Sequence, residues 1–215
     1  MSENSFQARY DLTKKSKIKL FYDSYKILIF STAISILIIF ITFSFYFENK
    51  KKQRIWLSEN YIQAKIYLEG GDKNKAVELL KSVIYENDAT YSTLCFFLIV
   101  NQNLVTDYNE LSDLFQHLLK NNKFSHELKN LILFKQALHS SNFVEESKLL
   151  EFSKPLINNE SIWKPHILIL LGDYFTSKGE YIKAIEFYQK IFTISNLHND
   201  IYEHAQSQLA VISNE

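Results

Sequence analysis

Histidine and cysteine are among the side chains of this sequence that could bind a metal ion or act as a nucleophile. The single cysteine is Cys95, and the six histidines are His117, His126, His139, His166, His198 and His204. A common zinc motif places two histidines one helical turn apart with a glutamate between them. No pair of these histidines follows that pattern, and His198 and His204, six residues apart, would lie on different faces of a helix. We therefore expect no metal site and no catalytic residue.

Three further features could indicate chemistry, and each has a structural explanation. Cys95 lies in the apolar run LCFFLIV, so we expect a buried thiol, and a single cysteine excludes an internal disulfide. Gly70-Gly71-Asp72 lacks the Gly-Lys-Ser/Thr that completes a phosphate loop. Glu145-Glu146 fits a helix start, where the helix dipole favours acidic side chains. The sequence predicts a protein that is not an enzyme and has no cofactor and no small-molecule substrate.

Composition points to helices. The chain has 24 basic and 24 acidic residues, and no tract outside residues 1–54 is basic enough to indicate nucleic-acid binding. Only four glycines and two prolines occur in 215 residues, whereas an all-β fold needs many turns that use them. We therefore expect an all-α fold and no nucleic-acid partner.

A membrane anchor is predicted near the N-terminus. Residues 27–47 are 21 consecutive positions without a charge, bounded by Lys26 and Glu48. About 20 helical residues cross a hydrocarbon core of roughly 30 Å. A cleaved signal peptide would have a shorter apolar region and a small-residue cleavage site, which Phe45-Tyr46-Phe47 does not provide. The predicted organisation is a cytoplasmic tail at 1–25, a transmembrane helix at 26–48 and a helical repeat domain at 54–215.

The orientation of this anchor is open on charge alone. Six basic residues precede the apolar segment and five follow it, so the positive-inside rule decides little. Short N-terminal tails of such anchors commonly stay in the cytoplasm. We expect a single-pass protein with its N-terminus in the cytoplasm and its domain on the other side, and a cytoplasmic domain is the alternative.

The domain shows a repeat. Turn-forming pairs recur at Gly71-Asp72, Thr106-Asp107, Ser141-Asn142 and Gly179-Glu180, at intervals of 35, 35 and 38 residues. This period, with a turn between two helices, is typical of tetratricopeptide repeats. The predicted fold is a single transmembrane helix followed by a tetratricopeptide-like α-solenoid of about four helical hairpins and a capping helix from Asn199 to Ile212.

Residue types support the repeat best in the first and last hairpins. Small residues would let paired helices approach, and larger ones would fill the space between hairpins. The predicted packing residues are Ala64, Tyr67, Ala76, Leu80, Leu171, Gly172, Phe175, Gly179, Ala184 and Tyr188. In the second hairpin Ile99 and Leu111 replace the small residues, and in the third Phe134 and Glu146 do so. Pro155 should end or kink the second helix of the third hairpin.

The stretch Leu171-Gly172-Asp173-Tyr174-Phe175-Thr176-Ser177-Lys178-Gly179-Glu180, together with the tail and anchor, resembles the YfgM-like family, an ancillary component of the SecYEG translocon. The resemblance implies a bacterial inner-membrane protein with a periplasmic repeat domain. It also implies partners among translocon subunits, periplasmic chaperones and secreted clients. The family supplies no catalytic residues to carry over.

Two functions remain open at this point. The first is a binding scaffold that presents a groove on the first helices of its hairpins, with candidate groove residues Asn60, Gln63, Tyr67, Tyr174 and Lys178. The second is a structural or assembly factor for another envelope complex, for example in cytochrome maturation or envelope biogenesis. Membrane lipid around the anchor is a partner in both cases.

Overall fold

The structure, a computed structural model, describes residues 17–213. Helices make up most of this range, and none of the residues in it forms a strand. The helices are α1 Lys17–Glu69, α2 Lys73–Tyr85, α3 Tyr91–Asn101, α4 Tyr108–Asn121, α5 His126–Ser140, α6 Glu146–Asn158, α7 Lys164–Ser177, α8 Tyr181–Ile191 and α9 Asn199–Ile212. The predicted all-α fold is confirmed.

The chain divides into two compact units, with the boundary between Trp56 and Leu57. The described part of the first unit is helical throughout, and its side chains from Ile27 to Phe47 are all exposed. This part of α1 is long and apolar enough to cross a membrane. Residues 1–16 of the predicted tail lie outside the described residues, and α1 contains residues 17–25.

The second unit contains four helical hairpins and a final helix. The end of α1 shares a core cluster with α2, α3 contacts α4, α5 contacts α6 and α7 contacts α8, and α9 follows. Three clusters of buried apolar side chains, from Leu57 to Ile212, form its core. The hairpin number, the four turns and the bounds of the last helix agree with the sequence prediction.

Helix α4 illustrates why these segments fold as helices. Its buried residues Leu111, Leu114, Phe115 and Leu118 follow the spacing that places apolar side chains on one helix face. Its N-cap, Asp107, accepts a hydrogen bond from the backbone N–H of Glu110 at 2.7 Å. The helix therefore has one face for the core and a defined first turn.

The turns of the first and last hairpins have the same geometry. Gly71 and Gly179 adopt positive φ angles of 82° and 73°, which glycine reaches without steric cost. The backbone N–H of Asp72 donates to the carbonyl of Tyr67, and that of Glu180 donates to Phe175, both at 2.9 Å. This six-residue hydrogen bond is the Schellman arrangement that ends a helix. The second helix begins immediately afterwards in both hairpins.

The turn of the second hairpin is longer. Asn103 takes the positive-φ position, with φ 47°, and the N–H of Leu104 donates to the carbonyl of Ile99 at 3.0 Å. Asparagine is the residue that most often replaces glycine at such a position. The segment from Leu104 to Thr106 then precedes the N-cap Asp107. These additional residues shift α3 relative to α4.

This shift corrects the predicted packing position of the second hairpin. Seven residues before the positive-φ residue, α7 has Gly172 and α3 has Phe96, rather than Ile99 as the sequence period indicated. Phe96 is fully buried and meets Phe115 edge to face, with ring centroids 4.6 Å apart. The backbones of α3 and α4 approach at few points, whereas those of α7 and α8 pack together closely. A large side chain at this position keeps the two helices apart.

The packing positions of the third hairpin also differ from the sequence prediction. Ala137, 35 residues before Gly172, is the fully buried small residue of α5, and Ser153 is fully buried on α6. The predicted positions, Phe134 and Glu146, are only half-buried. Repeats three and four therefore keep a spacing of 35 residues, because the α5–α6 and α7–α8 turns start their second helices at equivalent points.

Pro155 neither ends α6 nor lies at its terminus, and α6 continues to Asn158. The proline removes only one backbone hydrogen bond, and this loss falls in the last part of the helix. The side-chain amide of Asn159 donates to the carbonyl of Pro155 at 2.8 Å. That bond satisfies a carbonyl that the helix end would otherwise leave unpaired.

Candidate binding surface

The ten predicted packing residues lie on α1, α2, α7 and α8 and in the α7–α8 turn. Eight of them are buried: Ala64, Ala76, Leu80, Leu171, Gly172, Phe175, Ala184 and Tyr188. Tyr67 is half-buried, and Gly179 is exposed in the turn. The eight buried residues thus pack in the core of the second unit, and Tyr67, which is also a candidate groove residue, keeps part of its surface accessible.

Gly172 lies directly against the ring of Tyr188. A Cβ atom at Gly172 would lie 2.4 Å from Cε1 of Tyr188, a distance that real side chains do not reach. The Tyr188 hydroxyl donates to Oδ1 of Asp173 at 2.6 Å, which fixes the far end of the ring. Burial, together with this hydrogen bond, raises the pKa of Tyr188 above its usual range. Glycine is therefore required here by a ring that cannot easily move.

The same carboxylate connects α9 to the last hairpin. Nε2 of His204, on α9, lies 3.1 Å from Oδ1 of Asp173. Ala205 and Ile212 of α9 are buried in the cluster that contains Tyr188. Helix α9 thus covers the end of the stack, as expected for a capping helix.

The candidate groove residues lie at the two ends of the second unit. On α7, Lys178 places its Nζ 5.6 Å from the ring centroid of Tyr174. On α1, Asn60 and Gln63 border a shallow depression, and Tyr67 lies under the Nζ of Lys75 at 5.5 Å. Tyr67 packs against a different core cluster from Tyr174. The structure does not bring these two sets together, and a groove shared by both remains a prediction.

A cleft of about 660 Å³ lies where the starts of α5, α7 and α9 converge. Its exposed apolar side chain is Ile162, which is 66% exposed in the loop before α7. The lining combines apolar and polar groups: Glu127, Glu160, Ser161, Ile162, Lys164, Pro165, His166, Thr193, Ile194, Ser195, Asn196, Leu197, His198 and Ile201. This mixture suits a protein segment better than an ion or a small polar molecule.

Hydrogen bonds and ring contacts hold one wall of the cleft. Ser161 donates from its hydroxyl to Oε2 of Glu127, on α5, at 2.8 Å, and accepts from the N–H of Trp163 at 3.2 Å. The hydrogen bond from Ser161 lowers the pKa of Glu127. Trp163 stacks on Phe134 of α5, with ring centroids 5.6 Å apart. The loop that carries Ile162 is therefore fixed to α5 on both sides.

Sequence reasoning missed this cleft. Turn-forming pairs lie at both of its loops: Asn158-Asn159 directly precedes the loop 160–163, and Ser195-Asn196 lies within the loop 193–198. These two turns lie about one repeat apart. Because successive hairpins stack, turns one repeat apart lie side by side, and this was the available signal for the cleft. The contribution of Glu127, from α5, had no signal in the sequence.

The remaining reactive groups show no arrangement for chemistry. Within residues 17–213, no three side chains of histidine, cysteine, aspartate or glutamate lie together in a way that could hold a metal ion. Cys95 is buried, and this burial raises its pKa to about 12. His139 stacks on Tyr108, and burial lowers its pKa. Cys95 thus packs in the core of the second unit, and His139 packs between the second and third hairpins.

Fold and surface together define an all-helical hairpin-repeat protein with an apolar N-terminal helix. Comparison with protein families adds one finding: residues 165–196, which contain α8 and all of α7 except Lys164, match the tetratricopeptide repeat. No curated protein and no solved structure gives a significant match to the chain. The tetratricopeptide repeat is typical of non-enzymatic scaffolds that bind other proteins.

Proposed function

We propose that this protein is a membrane-anchored scaffold whose helical repeats bind other proteins at the membrane surface. The observation that carries the proposal is the tetratricopeptide repeat of the last hairpin, together with the exposed apolar segment of α1. Repeat proteins of this kind bind partners through extended surfaces formed by successive hairpins.

Aromatic residues at both ends of the apolar segment support an anchor over a signal sequence. Phe21, Tyr22 and Tyr25 precede it, and Phe45, Tyr46 and Phe47 end it, all at least 46% exposed. In such aromatic belts, which mark the two interfaces of a bilayer, tyrosine and tryptophan are the enriched residues, so Tyr22, Tyr25 and Tyr46 carry this argument. From Tyr25 to Tyr46, a helix rise of 1.5 Å per residue gives about 32 Å, close to the thickness of a hydrocarbon core.

The cleft at the starts of α5, α7 and α9 is the proposed contact surface for a partner. Its exposed Ile162 can enter a partner's apolar pocket, while its polar rim offers hydrogen bonds. Because Ser161 and Trp163 already hold one wall of the cleft in place, binding a partner costs less conformational entropy. The candidate groove residues of α7 lie further along the same helix and would extend the surface.

We propose the location and partners on the resemblance to the YfgM-like family. The N-terminus would lie in the cytoplasm and the repeats in the periplasm of a bacterial inner membrane. The partners would be translocon subunits and periplasmic chaperones that act on secreted clients.

Site-specific crosslinking in intact cells tests the binding surface. A photoreactive amino acid at Ile162 should capture a partner, whereas the same amino acid at Ile182, which is 79% exposed outside the cleft, should not. The matched pair controls for exposure, side-chain type and anchoring. Equal capture at both positions, or none at Ile162, would contradict the proposal, and the identity of a captured protein separates a translocon role from an assembly role.

Thiol labelling tests the topology. Ile182→Cys should react with a membrane-impermeant maleimide on intact spheroplasts if the repeats lie outside the cytoplasm. Labelling that occurs only after lysis places the repeats in the cytoplasm and overturns the proposed orientation.

A further inference from the structure

The end of the apolar segment carries a compact group of cations. Lys50, Lys51, Lys52 and Arg54, here called the basic collar, lie within two helical turns after the aromatic belt, and all four are exposed. The Nζ of Lys50 lies 5.2 Å from the ring centroid of Tyr46, which places this charge at the level of the belt. The collar is therefore a charged surface directly beside the apolar one.

One of these cations is neutralised within the helix. Nζ of Lys52 lies 2.9 Å from Oε1 of Glu48, one turn before it. Among the described residues, no ion pair joins Lys50 or Arg54 to a carboxylate, whereas Lys51 also interacts electrostatically with Glu48. Glu48 supplies one negative charge against the four positive charges of the collar, so a net charge of three remains available to an external anion.

The two units of the chain differ in charge. Residues 1–56 contain 10 basic and 4 acidic residues, and residues 57–215 contain 14 basic and 20 acidic ones. Six of the ten basic residues precede the apolar segment, and the four of the collar follow it. An anionic surface on the collar's side of the anchor would thus attract the collar and repel the second unit. The net charge of zero hides this separation.

We propose that the basic collar binds the headgroups of acidic phospholipids at the membrane interface. This inference rests on the proposed anchor, because the anchor keeps the collar next to headgroups. Lys50 follows Tyr46 by one helical turn, and the contact between its Nζ and the Tyr46 ring keeps this charge at the interface that the belt marks. Each lysine near such a surface strengthens binding to acidic lipid by roughly fivefold.

The test uses the full chain in nanodiscs that contain equal amounts of phosphatidylglycerol and phosphatidylcholine. Native mass spectrometry then counts the lipids of each type that stay bound to the released protein. Wild-type protein should retain phosphatidylglycerol in preference to phosphatidylcholine. The double variant Lys50→Gln/Lys51→Gln should lose this preference by roughly 25-fold, the product of two lysines.

A matched double variant tests whether lipid binding depends on the net charge of the collar or only on the number of charged side chains. Glu48→Gln/Lys52→Gln also removes two charged side chains from the collar region, but leaves its net charge unchanged. It should keep the preference of the wild type. An equal loss in both double variants, or equal retention of the two lipids by the wild type, overturns the proposal.

Two controls distinguish the remaining sources of failure. Excess glycerol phosphate should not displace the bound lipid, and displacement would indicate a general phosphate site, which overturns the assignment to lipid. Resistance to carbonate extraction reports the anchor separately. A chain that carbonate extracts from membranes refutes both anchor and collar, whereas a resistant chain without lipid preference refutes the collar alone.

Discussion

In the fourth hairpin, Gly172 of α7 lies against the ring of Tyr188 on α8. In the second hairpin, the equivalent positions hold Phe96 and Phe115, whose rings meet edge to face at 4.6 Å. In the fourth hairpin, the Tyr188 ring alone fills the space between the two helices, and their backbones lie close together. In the second hairpin, two phenylalanine rings fill this space, and the backbones lie further apart. The buried positions of a repeat are thus retained while the sizes of their side chains change, and the family match covers the fourth hairpin.

The largest expected effect comes from emptying the bulky position. Phe96→Ala should lower the free energy of unfolding by about 3–5 kcal/mol, because it removes a fully buried ring from a site that cannot close. Urea unfolding of fragment 54–215, which contains the whole second unit, measures this loss. The neighbouring, half-buried Phe97→Ala is the control and should cost clearly less. Equal losses would mean that Phe96 has no special place in the hairpin.

The opposite change tests the small position. Gly172→Ala should lower the free energy of unfolding by about 1–3 kcal/mol, because the new methyl group meets the Tyr188 ring. With Tyr188→Leu present, as in the Ala64 and Leu80 of the first hairpin, the same change should become neutral or stabilise by up to about 1 kcal/mol, since alanine favours a helix more than glycine. A double-mutant cycle on fragment 54–215 measures both signs. A loss of the same size in both backgrounds would rule out the ring as its cause.

The turns offer a smaller effect. Gly179→Ala should cost about 1–2 kcal/mol, because φ is 73° at this position and a Cβ atom is strained there. Asn103→Gly, at the equivalent position of the second hairpin, should change stability by less than about 0.5 kcal/mol. Thermal unfolding of the two variants compares them directly. A similar loss at Asn103 would show that its side chain, and not the backbone geometry, supports the longer turn.

The smallest effect concerns pH, at the junction of the second and third hairpins. His139 stacks on Tyr108, and burial lowers its pKa below the ordinary 6.5. The unfolded chain therefore takes up a proton first as the pH falls, so stability decreases below about pH 6.5 and levels off below the folded pKa. His139→Phe keeps an aromatic ring at this position but removes the titratable group, so it should reduce the dependence of stability on pH. Urea midpoints measured between neutral and acidic pH make the comparison, and an unchanged dependence in the variant would exclude His139 as its source.

The periodic turns were sufficient to predict the four hairpins and the final helix, because local residue types determine where a helix ends or begins. Gly179 in the last hairpin turn and Asn199 at the start of α9 are examples. Registers within the middle hairpins were not predictable in the same way. Asn103 replaces glycine and the residues up to Thr106 lengthen the turn, so a fixed period counted from Thr106 selected Ile99 in place of Phe96. The cleft depends on contacts between segments distant in sequence, such as Ser161 with Glu127, and no local pattern specifies them.

The burial of Cys95 has a practical consequence. With a pKa of about 12, roughly one molecule in ten thousand carries the thiolate at pH 8, and the sulfur is shielded from reagents as well. We therefore expect Cys95 to remain unmodified during the time in which an exposed thiol reacts with a thiol reagent. Fluorophores or spin labels can be attached one at a time without first removing it, so the wild-type chain is its own background for distance measurements.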